Sequence, residues 1–273
     1  MKNVADIRKT LAEIDETQWK EIYLQHARGE RADMVPFPPE EIQVITNGQK
    51  GEVTAKGAIS ILECVLQCIR DVFPPPASTQ GMRVLDYGCG WGRMTRLLPF
   101  YFDLEGVAGV DVDERLIKSA NKLLPFMTHQ KIASMEGLPF EDASFDIVFA
   151  NSVFSHLSKR SALFTLAELS RILSDGGMLI VSVLEEDDLK KFYSNESQRE
   201  WITKILGPQE DAISTLRKDG FVWGDTGRWH EYGIAVMNDG WIARQFEASG
   251  LEYRGTRRGA HRGTQNYKIG YKA

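Results

Sequence analysis

Cysteine is scarce in this chain: Cys64, Cys68 and Cys89 are the only three among 273 residues. Three is too few, and odd, for a secreted disulfide framework, and with five histidines they form no cluster at metal-ligand spacing. A reducing cytoplasm is the expected setting. Long apolar runs are also missing. No stretch of 18 apolar residues occurs, and Met1–Arg8 holds no uninterrupted apolar core, so neither a membrane span nor a signal peptide is expected. Positive charge is not in excess. With 33 basic against 38 acidic residues the formal net charge is −5, so the chain as a whole is no nucleic-acid polycation. What is present is ordinary for a globular protein: 42% hydrophobic and 26% charged residues, which excludes disordered, collagen-like and low-complexity classes. By size scaling roughly 12,000 Å² of about 45,000 Å² should stay exposed, a core large enough to fold without disulfides.

The first thirty residues place Val4, Ile7, Leu11, Ile14, Ile22 and Tyr23 at helical spacing with charges between. Val35-Pro36-Phe37-Pro38-Pro39 ends that pattern, because proline removes a donor and disfavours helix in the residue before it. A further helix fits Ala58–Val72, carrying Cys64 and Cys68 inward, and Phe73–Gly81 reads as a stiff linker. Residues 1–80 therefore read as a helical cap before a main domain at 81–273. From Arg83 onward short apolar runs alternate with helical stretches. The runs lie at Arg83–Asp86, Val107–Asp111, Phe145–Ala150 and Met178–Val183, with a weaker one at Lys131–Met135; the helices fall near 92–102, 113–124 and 159–173. That alternation implies a parallel sheet covered by helices on both faces. Residues 185–237 break the rhythm as an insert. A last helix (Trp241–Ala248) and two strand-like runs near 251–257 and 266–271 follow, and no internal repeat is visible.

The most informative segment is Asp86-Tyr87-Gly88-Cys89-Gly90-Trp91-Gly92-Arg93. Glycine admits positive φ and close approach of backbone, so a strand running through this turn makes a ligand cradle. The phosphate loop of nucleotide hydrolases needs a lysine that is absent, and the dinucleotide fingerprint needs glycine where Arg93 stands. What remains is Asp-x-Gly-x-Gly-x-Gly. At this point the chain resembles the class I S-adenosylmethionine-dependent methyltransferases. Gly109-Val110-Asp111-Val112-Asp113 is similar to their second-strand motif, Glu136–Asp146 to their "LPF…FD" stretch, and Leu173–Leu179 to their glycine-pair entry into the fifth strand. The four motifs come in order and cover about residues 80–185.

The resemblance implies a Rossmann-like, mostly parallel seven-stranded α/β sheet and S-adenosylmethionine as cofactor. It implies that Tyr87, Gly88, Cys89 and Gly90 bring backbone against the methionine portion and that Asp86 answers its ammonium. Asp111 would accept the ribose hydroxyls, Val112 pack on adenine, and Ser134 and Met135 approach the adenine edge. Asn151 would face the cofactor and open the acceptor side. Other readings stand beside these: Asp86 capping the turn, Arg93 either on the cofactor side or in a surface salt bridge, and Asp111 serving equally in an NAD-binding fold.

Methyl transfer from a sulfonium is an in-line displacement, so alignment does most of the work, and a hydroxyl acceptor adds the need for a base. His156, just beyond the fourth strand, and His230, in the insert, are the candidate catalytic residues, the alternative for His156 being a histidine packed under the next helix. No Asn/Asp-Pro-Pro-Tyr/Phe motif is present, which argues against the base- and glutamine-amide-directed branches. A weak echo of glycan- and natural-product-modifying methyltransferases at Pro38–Gly48 leans the same way. The basic Arg254–Gly263 segment reads as a hairpin loop or as a surface for phosphate or RNA. The expectation is thus methyl transfer to a hydroxyl of a small-molecule or carbohydrate acceptor, with cap and insert covering the pocket, no metal and no membrane insertion. The alternatives are an RNA or protein acceptor, an NAD-dependent oxidoreductase, and a non-catalytic partner subunit.

Overall fold

Asp15 divides the first expected helix into two. In a computed structural model of the chain, which describes residues 4–73, 79–229, 231–259 and 265–273, α1 spans Val4–Ala12 and α2 Glu16–Ala27. The Gln18 N–H donates to the Asp15 side chain at 2.8 Å and the Asp15 N–H to the Gln18 side chain at 2.9 Å, a capping box that starts α2. Pro39 precedes α3 (Glu40–Asn47), which closes on Gly48 at φ 69°. The next helix, α4 (Gly51–Val72), begins seven residues before the apolar stripe suggests, burying Thr54 and Ala55 in its added turns along with Cys64 and Cys68 further on.

The chain divides into two compact units, Met1–Ala133 and Ser134–Ala273. In the first, β1 (Val84–Tyr87), β2 (Val107–Asp111) and β3 (Thr128–Lys131) pair in parallel, Asp86 opposite Gly109 and Asp111 opposite Lys131. The weak strand expected at 131–135 thus lies three residues earlier. The helix expected at 92–102 is replaced by turns and a six-residue 3-10 segment, Thr95–Phe100. Pro99 lies inside that segment and has no N–H for the bond an α-helix would direct to the Thr95 carbonyl. By contrast α5 (Glu114–Leu123) starts as its sequence suggests, with Asp113 capping the Arg115 N–H at 2.9 Å.

In the second unit β4 (Phe145–Ala150) pairs in parallel with β5 (Leu173–Val183), joined by α6 (Lys159–Ile172). The insert is a small body with a core of its own. Helices α7 (Glu186–Ser194), α8 (Glu196–Leu206) and α9 (Gln209–Asp219) pack with the antiparallel strands β6 (Phe221–Trp229) and β7 (Tyr232–Met237) around Leu189, Tyr193, Ile202, Leu216 and Val236. Then come α10 (Asp239–Ala248), β8 (Glu252–Arg258) and β9 (Asn266–Tyr271), with β9 antiparallel to both β5 and β8. The fold is a Rossmann-like α/β architecture with a mostly parallel seven-stranded sheet in the order β3-β2-β1-β4-β5-β9-β8. No helix among the described residues is long and apolar enough to cross a membrane.

Candidate functional site

In the first unit the turn after β1 takes positive φ at Gly88 (80°), Gly90 (58°) and Gly92 (77°), conformations that a side chain would strain. Space is limited too. A Cβ on Gly90 would lie 2.8 Å from the Thr46 Cγ2 atom of α3, and one on Gly92 would lie 3.0 Å from Leu124 Cδ1. The Gly88 and Cys89 N–H groups both donate to the Val110 carbonyl, at 2.8 and 3.0 Å, which ties the turn to the end of β2.

Two carboxylates flank this turn in different states. Asp86 is fully buried; its Oδ2 accepts from Thr95 Oγ1 at 2.6 Å, whereas its Oδ1 has no hydrogen-bond partner among the described residues. Burial pushes the Asp86 carboxyl up to about 7, with Asp111 adding to the rise and the Thr95 hydroxyl and Arg93 opposing it. Asp111, half-buried, is held at both oxygens by backbone: Oδ2 accepts from the Gly90 N–H at 2.8 Å and Oδ1 from the Asp113 N–H at 2.8 Å. Burial makes its carboxyl a weaker acid than an ordinary aspartate, against the opposing pull of those two hydrogen bonds. A carboxylate offers about four acceptor positions, so Asp111 retains capacity beyond these two bonds. Val112, next along, leaves 43% of its surface exposed.

Cys89 is buried, and burial with the neighbouring Asp86 and Asp111 charges pushes its thiol well above its ordinary value. It is a small packing residue and no thiolate. Arg93 is half-buried and its carbonyl accepts from the Tyr23 hydroxyl at 2.7 Å. Tyr87 is half-buried at the end of β1.

The second unit holds the remaining candidates. Ser134 is exposed; Met135 takes φ 61°, and its sulfur accepts from Ser161 Oγ at 3.3 Å. Asn151 follows β4, and its Oδ1 accepts from the Tyr267 hydroxyl at 3.0 Å. Ser152, at φ 57°, donates its N–H to Ser182 Oγ at 2.7 Å and accepts from Gln265 Nε2 at 2.7 Å, while the Ser182 hydroxyl donates to Gln265 Oε1. This network fixes the turn beyond β4 from β5 and the start of β9.

His156 lies 2.9 Å by its Nδ1 from the Gly233 carbonyl. A carbonyl only accepts, so Nδ1 carries the hydrogen and Nε2 keeps its lone pair. The ring stacks on Tyr232 at 4.6 Å, and burial lowers its proton affinity below the usual histidine value. His156 therefore joins the insert to the post-β4 loop, aided by Gly233 N–H donating to the His156 carbonyl at 2.7 Å and Ala235 N–H to the Ser155 carbonyl at 2.8 Å. His230 lies outside the described residues, as do residues 260–264 of the basic segment.

Three charged or polar groups have no place in the sequence reading. Arg96, fully buried, donates to the Gly92, Trp91 and Pro36 carbonyls at 2.8, 2.8 and 2.6 Å. His129 is buried with neither ring nitrogen hydrogen-bonded among the described residues, and burial with the Arg96 charge lowers it to about 4. Lys268, also fully buried, donates to Glu185 and Asp239. A lone cation inside an apolar run, as in Thr95-Arg96-Leu97-Leu98 or Tyr267-Lys268-Ile269, is the signal that could have marked the first and third.

Residues 85–181 match a family model described as a methyltransferase domain. A trans-aconitate 2-methyltransferase of Rhizobium rhizogenes is 31% identical over 197 residues, 67% of this chain and 73% of that protein. An O-methyltransferase of Penicillium expansum is 32% identical over 124 residues, 43% of this chain, and the match spans only 44% of that relative's length. Among solved structures, a Pyrococcus horikoshii protein shares the fold with a TM-score of 0.56 at 19% identity, over 84% of this chain and 95% of that one.

Proposed function

The chain is a class I S-adenosylmethionine-dependent methyltransferase, and on that premise we propose that it methylates an oxygen of a small-molecule acceptor. The observation that carries the cofactor half of this reading is Asp86: a buried carboxyl with one oxygen lacking any described partner, beside a turn with three positive-φ glycines. An ammonium is the partner such an oxygen calls for, and S-adenosylmethionine brings one on its methionine end. The residues present fit the cofactor. Asp111, already oriented by the Gly90 and Asp113 N–H groups, has acceptor capacity left for two ribose hydroxyls. Val112 offers an apolar surface for adenine, with Ser134 and Met135 assigned to its edge and Tyr87, Gly88, Cys89, Gly90 and Arg93 to the methionine portion. When bound, the cofactor supplies an electrophilic methyl group with a good neutral leaving group.

The acceptor half rests on the relatives named as acting on oxygen and on trans-aconitate, and on the polar frame beyond β4. Asn151 has its Oδ1 engaged by Tyr267, so its Nδ2 hydrogens are the ones left to orient an acceptor or the cofactor. His156 has an unprotonated Nε2 at neutral pH, the state a base for a hydroxyl acceptor requires. A carboxylate acceptor would need no base at all. Cap residues 1–80 and insert 185–237 are assigned to covering the acceptor and excluding water. The test is methyl transfer from radiolabelled S-adenosylmethionine to a panel of small carboxylates, trans-aconitate included, sugars and phenols. Label recovered in a base-labile ester or an ether supports the reading; label recovered only in RNA or protein overturns its acceptor half.

A further inference from the structure

The segment after the glycine turn is 3-10 with Pro99 inside it; at its start the Gly92 carbonyl accepts the Arg96 main-chain N–H at 3.2 Å. The Arg96 side chain adds a second donor to that carbonyl and serves the Trp91 carbonyl as well. The Arg96 guanidinium donates Nη2 to the Trp91 carbonyl at 2.8 Å and Nε to the Gly92 carbonyl at 2.8 Å, while Nη1 reaches the Pro36 carbonyl at 2.6 Å. It lies 4.6 Å from the Trp91 ring and 5.2 Å from the Phe37 ring. No carboxylate pairs with it among the described residues. A planar five-donor fork can serve three carbonyls from two chain segments at once, which an ammonium cannot.

The same stretch of chain is gripped from the N-terminal helices at three more points. Tyr23 donates its hydroxyl to the Arg93 carbonyl at 2.7 Å, Trp19 donates its indole N–H to the Leu97 carbonyl at 3.0 Å, and the Thr46 methyl stands 2.8 Å from where a Gly90 Cβ would be. The two hydrogen bonds meet main chain just after the glycine turn, and Thr46 limits the space at Gly90 within it. None of them is needed merely to cover an acceptor.

We infer that Arg96 is a positioning residue for cofactor binding, setting the glycine turn through the Trp91 and Gly92 carbonyls, and that α2 and α3 are a working part of the cofactor cradle. This rests on the reading that the turn receives S-adenosylmethionine. The geometry of a backbone cradle is exacting: a displacement of about 1 Å can cost on the order of 100-fold in a positioned site. Loss of the fork should therefore appear in cofactor affinity before it appears in the fold.

The test is calorimetric titration of the full chain with S-adenosylmethionine and with S-adenosylhomocysteine, at a temperature where circular dichroism shows each variant folded. Arg96→Met is expected to weaken binding by at least about tenfold, and Arg96→Lys to recover only part of it. Tyr23→Phe removes a single hydroxyl and is expected to weaken binding by about three- to tenfold; it decides the matter in the same way should the Arg96 variants fail to fold. Hydrogen exchange at the Gly88–Gly92 amides should quicken in the cofactor-free variants. Arg8→Met, which removes only an exposed ion pair to Glu105, is the control and should bind as the wild type does. Variants that melt earlier yet bind with wild-type affinity would overturn the inference. A wild type that binds neither ligand would instead overturn the cofactor reading beneath it.

Discussion

Asp86 makes protein stability depend on pH in a calculable way, and its proposed pairing with the cofactor's ammonium extends that dependence to binding. Its carboxyl rises from an ordinary 3.8 to about 7 through burial; that difference of about three pH units corresponds to about 4 kcal/mol. The folded, cofactor-free protein holds this proton more tightly than the unfolded chain. The associated stability is therefore fully present below pH about 4 and is lost as pH rises through about 7. An ammonium beside Oδ1 would reverse the balance by favouring the ionised form. Cofactor affinity should thus climb about tenfold per pH unit below pH about 7 and level off above it, then decline near pH 8 as the cofactor's own amino group loses its proton. At pH 7 binding should release about half a proton from this group, visible by calorimetry in buffers of different ionisation enthalpy. Asp86→Asn keeps an acceptor for the Thr95 hydroxyl and removes the charge. It should melt higher than the wild type at pH 8 without cofactor, yet bind S-adenosylmethionine at least about tenfold more weakly, with the climb between pH 5.5 and 7 abolished. A wild-type affinity that stays flat over that interval, or an Asn variant that keeps the slope, would refute the pairing of Asp86 with an ammonium.

Other outcomes follow from single contacts. Asp111→Ala removes the carboxylate assigned to the ribose and should cost about 3 kcal/mol of cofactor affinity, read by titration; an unchanged affinity would remove Asp111 from the site. Gly92→Ala forces a side chain at φ 77° against Leu124 at 3.0 Å and His129 at 3.4 Å, so the midpoint of urea unfolding should fall by the equivalent of about 2 kcal/mol. Lys268→Met leaves Glu185, only 23% exposed, without its buried cation. Unfolding stability should drop by about 2–4 kcal/mol, and Lys268→Arg should restore little because the slot is closed on all sides. Stability unaltered in the Met variant would show that the two carboxylates re-solvate freely.

The parts of the site legible in the sequence are those where local chemistry leaves little choice. Three alternate glycines after a short apolar strand can hardly be anything but a close turn. Asp113 caps α5 because a short carboxylate before a helical run satisfies an N–H wherever the helix lies. The helix after the glycine turn failed as an expectation because Arg96 and Pro99 outweigh apolar spacing. The Arg96 side chain takes the Trp91 carbonyl, and Pro99 removes a donor. His156 was legible as a residue beyond β4, but its bond to Gly233 was not, since the two are 77 positions apart. Likewise Ser152, Ser182 and Gln265 carry no motif; only the pairing of β5 with β9 brings them together.

By itself the sequence determined the alternation of the parallel strands with helices, the glycine turn and the acid that ends β2, because periodicity, glycine placement and carboxylate chemistry act over a few residues. Tertiary structure alone decided which carboxylate is left with an unanswered oxygen, which arginine is taken out of water to hold the turn, and that the N-terminal helices reach the main chain of that turn. Those outcomes depend on desolvation and on contacts between segments far apart in the chain. The same three cysteines with which the composition is so sparing are all buried, Cys89 among them with its thiol held protonated. Its place in the glycine turn follows from size, and its inertness from the charges and burial that only folding supplies.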